Sequence, residues 1–297
     1  MEYRKLGKSD LMISSVSFGC MSLQGTDASN KALLLKAIDG GINFFDTADL
    51  YDKGANETTV GKALREKRKE IIIASKVGNK WKPDGSGWDW NPSKQYILSA
   101  VEDSLRRLQT DYIDLYQLHG GTIDDPMNET IAAFELLKEK GKIRYYGISS
   151  VRPNVIREWV SRSNLVSVMM QYSLLDRRPE ETCFPLLLEK GINVLARGSL
   201  AKGLLADKSA IELLGYKKEQ VSMMARAVGS ISDGMRNAVQ TSLQFVLSNP
   251  VVASAVTGIR TAKQLEEALQ PEAVPLSSTE LGFLKSVLKE NYYIEHR

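Results

Sequence analysis

Eight short apolar runs recur along this chain, and helix-length connections separate them. They cover residues 16–19, 43–45, 71–74, 113–118, 144–148, 166–170, 193–196 and 251–256. Stretches with helical periodicity fall at 28–39, 56–67, 92–108, 129–140, 153–162, 180–190, 235–247 and 261–268, with a last one at 278–288. Pro92-Ser93 and Pro153 open helices, while Gly40-Gly41, Gly141 and Gly191 stop them. A connection long enough to hold a helix implies that the strands it joins run parallel. Eight such units in 297 residues fit a closed (β/α)₈ barrel, whose usual size is about 250 residues plus insertions.

The ends of the chain add to this pattern without breaking it. Residues 1–15 read as two short strands around the turn Gly7-Lys8-Ser9-Asp10. Residues 204–232 are long and less regular, and no composition break marks a linker. A single barrel domain over residues 1–297 is the expectation.

Composition excludes several classes of function. A net charge of +3 without a basic cluster argues against a nucleic-acid partner. The start, MEYRKLGKSDL, has no apolar signal core, and no apolar run reaches the roughly 18 residues of a membrane span. Cys20 and Cys183 are far apart and in no pairing motif, which points to a reduced, cytoplasmic setting. With two histidines and two isolated cysteines, no metal site is expected.

A parallel barrel gathers the carboxyl ends of its strands on one rim, where catalytic residues sit. The run DYIDLYQLHG ends in His119, and a buried strand has no packing reason to finish in an imidazole. Asp46 ends the second run and Lys76 the third, while Tyr51 follows Asp46 by five residues in the rim loop. Taken singly, these residues could cap a turn, reach solvent or pack. Together they form an acid–base cluster. A phenol is a weak acid at neutral pH, but a neighbouring ammonium stabilises its phenolate. A buried carboxylate would keep that lysine charged, and a neutral His119 could orient a carbonyl oxygen beside Tyr51. The chemistry is proton donation to a carbonyl, provided that a hydride source exists.

Three segments now supply a resemblance: FFDTADLYDKGANE (44–57), SLRRLQTDYIDLYQLHG (104–120) and GKIRYYGISS (141–150). They are similar to the signature segments of the aldo-keto reductases, closest to the bacterial stress- and inositol-associated branch. The likeness runs from Arg4 to the helix near Gln264. It implies a (β/α)₈ barrel that reduces small aldehydes and ketones with NADP(H), or alternatively NAD(H), through the tetrad Asp46, Tyr51, Lys76 and His119.

The resemblance also implies where the cofactor lies. Ser149, Ser150 and Gln171 would hold the nicotinamide amide, with Ser150 standing where the family usually has asparagine. Gly19, Cys20 and Met21 match the loop under the nicotinamide ribose. In ARGSLAKGLL (196–205), Arg197 takes the place of a stacking tyrosine, and Gly198 and Ser199 follow it. Leu200, Lys202 and Gly203 would approach the pyrophosphate. Gly258, Arg260, Gln264 and Glu267 match the adenosine end, where Arg260 could pair with a 2′-phosphate. Ala268 replaces a common asparagine.

Trp81, Trp88 and Trp90 lie in one loop directly after Lys76, as a substrate wall or as packing that orders the loop. Two rival readings remain. One is a slow-turnover nucleotide-binding regulatory protein, since the fold also serves as a redox-sensing subunit of potassium channels. The other is a glycosidase, which would need a second rim acid besides Asp46.

Overall fold

The structure is a computed structural model that describes residues 1–232, 234, 236–269 and 274–297. An antiparallel hairpin, β1 (Tyr3–Lys5) and β2 (Met12–Ser14), comes first, followed by β3 (Val16–Gly19), α1 (Asp27–Asp39) and β4 (Phe44–Asp46). Next come α2 (Ala55–Leu64), β5 (Ile72–Val77) and a second hairpin of β6 (Asn79–Trp81) and β7 (Trp88–Trp90). The alternation resumes with α3 (Lys94–Leu108), β8 (Ile113–Leu118), α4 (Met127–Glu139), β9 (Ile143–Ser149), α5 (Pro153–Arg162) and β10 (Ser167–Gln171). Then follow α6 (Cys183–Glu189), β11 (Asn193–Arg197), α7 (Lys218–Ser230), α8 (Ala238–Leu247), β12 (Val252–Gly258), α9 (Ala262–Ala268) and α10 (Ser278–Val287).

Strands β3, β4, β5, β8, β9, β10, β11 and β12 pair in parallel in that order, and β12 pairs with β3 to close a (β/α)₈ barrel. Alternation along each strand builds two cores. Phe44, Ile72, Ala74, Leu115 and Leu195 point into the barrel, while their neighbours Phe45, Ile73, Tyr116 and Val194 pack outward under the helices. The first hairpin closes the end where the strands begin. Leu6, Leu11 and Ile13 join the inner core, and Asn43 and Asn193 bond to its backbone.

The sequence expectation differs from the structure in three places. Residues 204–232 contain α7, whose Val221, Met224, Ala227 and Val228 repeat at helical spacing behind an irregular loop. The Trp-rich loop is a strand hairpin, which three indoles and intervening glycines did not announce as alternation. The described helix before the last barrel strand starts at Ala238, capped by Asn237, and the expected start at Met235 lies outside the described residues. No helix among the described residues is long and apolar enough to cross a membrane.

Helices α2 and α3 touch at Gly61, where a β-carbon would stand 2.6 Å from the backbone of Arg107 and Leu108. Alanine is a better helix former than glycine by about 1 kcal/mol. Overpacking rigid backbone costs about 1–3 kcal/mol, so the clash wins. Gly61→Ala is therefore expected to lower the melting temperature by roughly 2–4 °C or more. An equal or higher melting temperature would show that α3 gives way at no cost.

Candidate active site

The three strand-end residues are placed by register. Asp46, the last residue of β4, lies opposite Ala74 of β5, and Lys76 of β5 lies opposite Gln117 of β8. His119 follows β8 directly. Its N–H donates to Val77 O at 2.7 Å, and its C=O accepts from Asn79 Nδ2 at 3.1 Å.

Lys76 is fully buried, and a buried ammonium is tolerated only when paired and hydrogen-bonded. It has three protons to give. They go to Asp46 Oδ2 at 2.6 Å, Thr47 O at 2.8 Å and the Tyr51 hydroxyl at 3.1 Å. Burial works against the ammonium, but Asp46 first and Tyr51 second outweigh it, and the lysine pKa lies above its ordinary value. Gln117 Nε2 donates to the other Asp46 oxygen at 3.3 Å.

Tyr51 is half-buried and begins a tight turn in which Asp52, Lys53 and Gly54 have φ of 49°, 54° and 87°. Successive left-handed residues are costly outside glycine, so this turn is held by its surroundings. Trp81 Nε1 donates to Leu50 O at 3.2 Å, and Lys53 Nζ donates to Gly85 O at 3.2 Å while lying over the Trp81 ring.

The Tyr51 and His119 rings meet edge to face at 5.8 Å between centroids, with planes at 86°. Burial, then Lys76 and Arg197, depress the His119 pKa to about 3, so the imidazole is neutral at physiological pH. Its Nδ1 is buried without a partner. The structure thus brings the four expected residues into one cluster: a phenol, a charged lysine, its carboxylate and a neutral imidazole.

The other expected residues, apart from Gln264 and Glu267 within α9, lie at the strand ends or in the turns that follow them. Gly19 ends β3, and Cys20 and Met21 form the next turn, with Cys20 buried and Met21 exposed. Ser22 Oγ ties that turn to Gly19 O and Ile259 O. Ser149 ends β9, and Ser150 follows it, both buried. Gln171 and Arg197 face each other across β10 and β11, and Arg197 Nη1 donates to Gln171 Oε1 at 3.4 Å. Gly198 packs against Gln171, Ser199 is buried, and Leu200, Lys202 and Gly203 form the next turn. Gly258 ends β12. Arg260 N donates to Gln264 Oε1 at 2.9 Å, and Glu267 faces Lys263 rather than the rim cations. Among the described residues, neither the Lys202 ammonium nor the Arg260 guanidinium has a side-chain bond or ion pair, and both are exposed.

The tryptophans divide. Trp81 is tied to Leu50 as above. Trp90 donates to Asp125 Oδ1 at 2.8 Å, and its ring lies over Gly78 and Gly120. Trp88 alone is exposed. Sequence reasoning missed Thr47 and Gln117, which hold Lys76 and Asp46. Gln117 had a signal, as a polar residue inside an apolar strand two positions before His119. Thr47 had none, because it acts through its carbonyl. No group of three or more potential metal ligands occurs among the described residues.

Known proteins share this fold. The model of the aldo/keto reductase family matches residues 15–289. The Bacillus subtilis (strain 168) protein named uncharacterized oxidoreductase YqkF is 51% identical, over 100% of both chains. A probable aldo-keto reductase of Glycine max is 31% identical, over 93% of this chain and 86% of its own. The solved holo form of an aldo-keto reductase from Bacillus halodurans has a TM-score of 0.95 at 49% identity, covering 100% of this chain and 99% of that one. The chain belongs to the aldo/keto reductase family.

Proposed function

We propose that this protein reduces small aldehydes or ketones to alcohols with NADPH, NADH being the alternative, and that Tyr51 is the general acid. The observation that carries this reading is the Lys76 ammonium donating to the Tyr51 hydroxyl beside a neutral His119. Family membership supports oxidoreduction with a nicotinamide cofactor. Among the described residues, Asp46 alone of the carboxylates bonds to Lys76, and this pairing disfavours the glycosidase reading, which needs two working rim acids.

The residues present fit such a cofactor. Among the described residues, the Lys202 and Arg260 side chains are exposed cations without a side-chain partner near the ends of β11 and β12, a chemistry suited to phosphates. Arg260 favours a 2′-phosphate and hence NADPH. Gly19, Cys20, Met21, Ser149, Ser150 and Gln171 would bound the nicotinamide end, with Gly198, Ser199, Leu200 and Gly203 near the pyrophosphate. Gly258, Gln264 and Glu267 belong to the adenosine end. When bound, the reduced nicotinamide supplies the hydride.

The protein residues handle the proton. Because the Tyr51 oxygen accepts from Lys76, its own hydrogen is free to be given to a carbonyl oxygen. The phenolate left behind lies against the ammonium that Asp46 keeps charged. His119, neutral, donates a hydrogen bond to the same carbonyl oxygen and orients it. Carbonyl carbon plus hydride and carbonyl oxygen plus the Tyr51 proton give the alcohol. Trp88, exposed beside this rim, is the best placed of the three indoles to form a substrate wall; Trp81 and Trp90 order the hairpin that carries it.

One observation favours a second reading. The exposed Arg197 guanidinium lies within electrostatic reach of His119 and Asp46. A cation there disfavours an oxidised, positively charged nicotinamide. Tight retention of the reduced cofactor with slow turnover would suit a redox-sensing protein.

Tyr51→Phe is expected to keep NADPH binding, followed by fluorescence, while carbonyl reduction falls by roughly 10²–10⁴. Turnover unchanged in that variant would remove Tyr51 as the acid. Arg260→Ala is expected to weaken NADPH by about 10–100-fold, consistent with the loss of one charge-assisted bond, and to leave NADH nearly unaffected. Equal weakening of both cofactors would place the 2′-phosphate elsewhere.

A further inference from the structure

Behind the Lys76 cluster lies a carboxyl group that the mechanism above does not use. Asp49 stands between Thr47 and Tyr51 in the same loop, and its backbone N–H donates to Lys76 O at 3.3 Å. Asp49 is 7% exposed, and neither carboxyl oxygen has a hydrogen-bond partner in good geometry.

The ions around Asp49 are already paired. From β5, Lys76 faces it, but that ammonium is committed to Asp46 at 2.6 Å. From α3, Arg107 faces it, but that guanidinium is committed to Glu57 of α2 through contacts of 2.7 and 2.6 Å. Glu57 is fully buried and also accepts from Ser75 Oγ. The remaining titratable neighbours are the phenols of Tyr96 on α3 and Tyr116 on β8, both pushed up by burial first and by Asp49 next. The Tyr96 hydroxyl donates to Asn79 O at 3.4 Å and also lies toward Asp49, and that of Tyr116 lies toward Ser104. Three carboxyl groups therefore share two cations, and Asp49 is the one left over. A buried carboxylate with no counter-ion of its own and only weakly aligned donors, the Leu50 N–H and the Tyr96 phenol, is costly, and protonation removes the cost. Burial, then the Glu57 charge, push the Asp49 carboxyl up to about 8.

We infer that Asp49 is a positioning residue that works as a neutral carboxylic acid, leaving Asp46 as the sole counter-ion of Lys76. The lysine charge is then available to the Tyr51 phenolate that proton donation creates. When Asp49 ionises, a second buried anion competes for the ammonium, its hold on the phenolate weakens, and reduction slows. The proton is bound below about pH 8 and lost above it, so the rate falls as pH rises through that value. The inference rests on the reading of Tyr51 as the acid and adds a group that sets the working pH of the same site.

Asp49→Asn keeps the shape and fixes the neutral state. In wild type, protein labelled with ¹³C at the aspartate carboxyls should show one carboxyl that titrates near pH 8 by NMR and is missing from Asp49→Asn. The alkaline limb of kcat for carbonyl reduction should lie at least about one pH unit higher in the variant than in wild type. Coincident limbs, or no aspartate titrating in that range, would overturn the inference. If Asp49→Asn does not fold, Asp49→Ser, which also lacks the carboxyl, takes its place in both measurements. Wild-type protein that turns over no carbonyl at any pH would instead defeat the reductase reading, a result distinct from turnover with unmoved limbs.

Discussion

A lysine ammonium with no access to water must spend each of its three protons inside the protein, and at Lys76 this requirement organises the rim. Asp46, the Thr47 carbonyl and Tyr51 are its acceptors, all drawn from β4 and the loop that leaves it. Removing one acceptor would leave a buried donor unsatisfied, which costs more than the bond itself contributes. The path of the chain from Asp46 to Tyr51 is therefore coupled to the charge on a residue of the neighbouring strand. The strained turn at 52–54 and the tryptophan bonded to Leu50 hold Tyr51 at the end of that path.

Around this centre the barrel separates stability from chemistry. The first hairpin plugs one end with Leu6, Leu11 and Ile13, and the inner core fills the middle. Polar side chains then gather at the strand ends, where Asp46 and Lys76 are buried and Tyr51 is half-buried. The electrostatics divide in the same way. Lys76 and Asp46 are buried and paired with each other, whereas among the described residues the Lys202 and Arg260 side chains, near the ends of β11 and β12, are exposed without a side-chain partner. The first arrangement suits proton transfer and the second suits an anionic ligand.

Much of this was legible in the residues. Asp46, Lys76 and His119 announce themselves because polar groups at the ends of apolar runs contradict a packing role, and the strand–helix alternation places them on one rim. Arg197 stood out as a departure from a resembled pattern, and its bond to Gln171 follows from the register of β10 and β11. Other features depend on partners distant in sequence. The Thr47 carbonyl has no side-chain signature, and the isolation of Asp49 depends on Arg107 being taken by Glu57 across α2 and α3. Trp90 orders its loop only because Gly78, Gly120 and Asp125 meet it there. Helix α7 hid behind an irregular loop although its apolar spacing was regular.

The claim on which the rest depends is that the buried charge of Lys76 makes proton donation by Tyr51 possible. It is tested most directly by mixing reduced nicotinamide cofactor with an aromatic aldehyde and following the reduced-nicotinamide absorbance in wild type and Lys76→Met. Wild type should consume the cofactor only when the carbonyl is present, and the variant should bind it yet react at least about 10²-fold more slowly. A variant that binds the cofactor and consumes it at the wild-type rate would contradict the account.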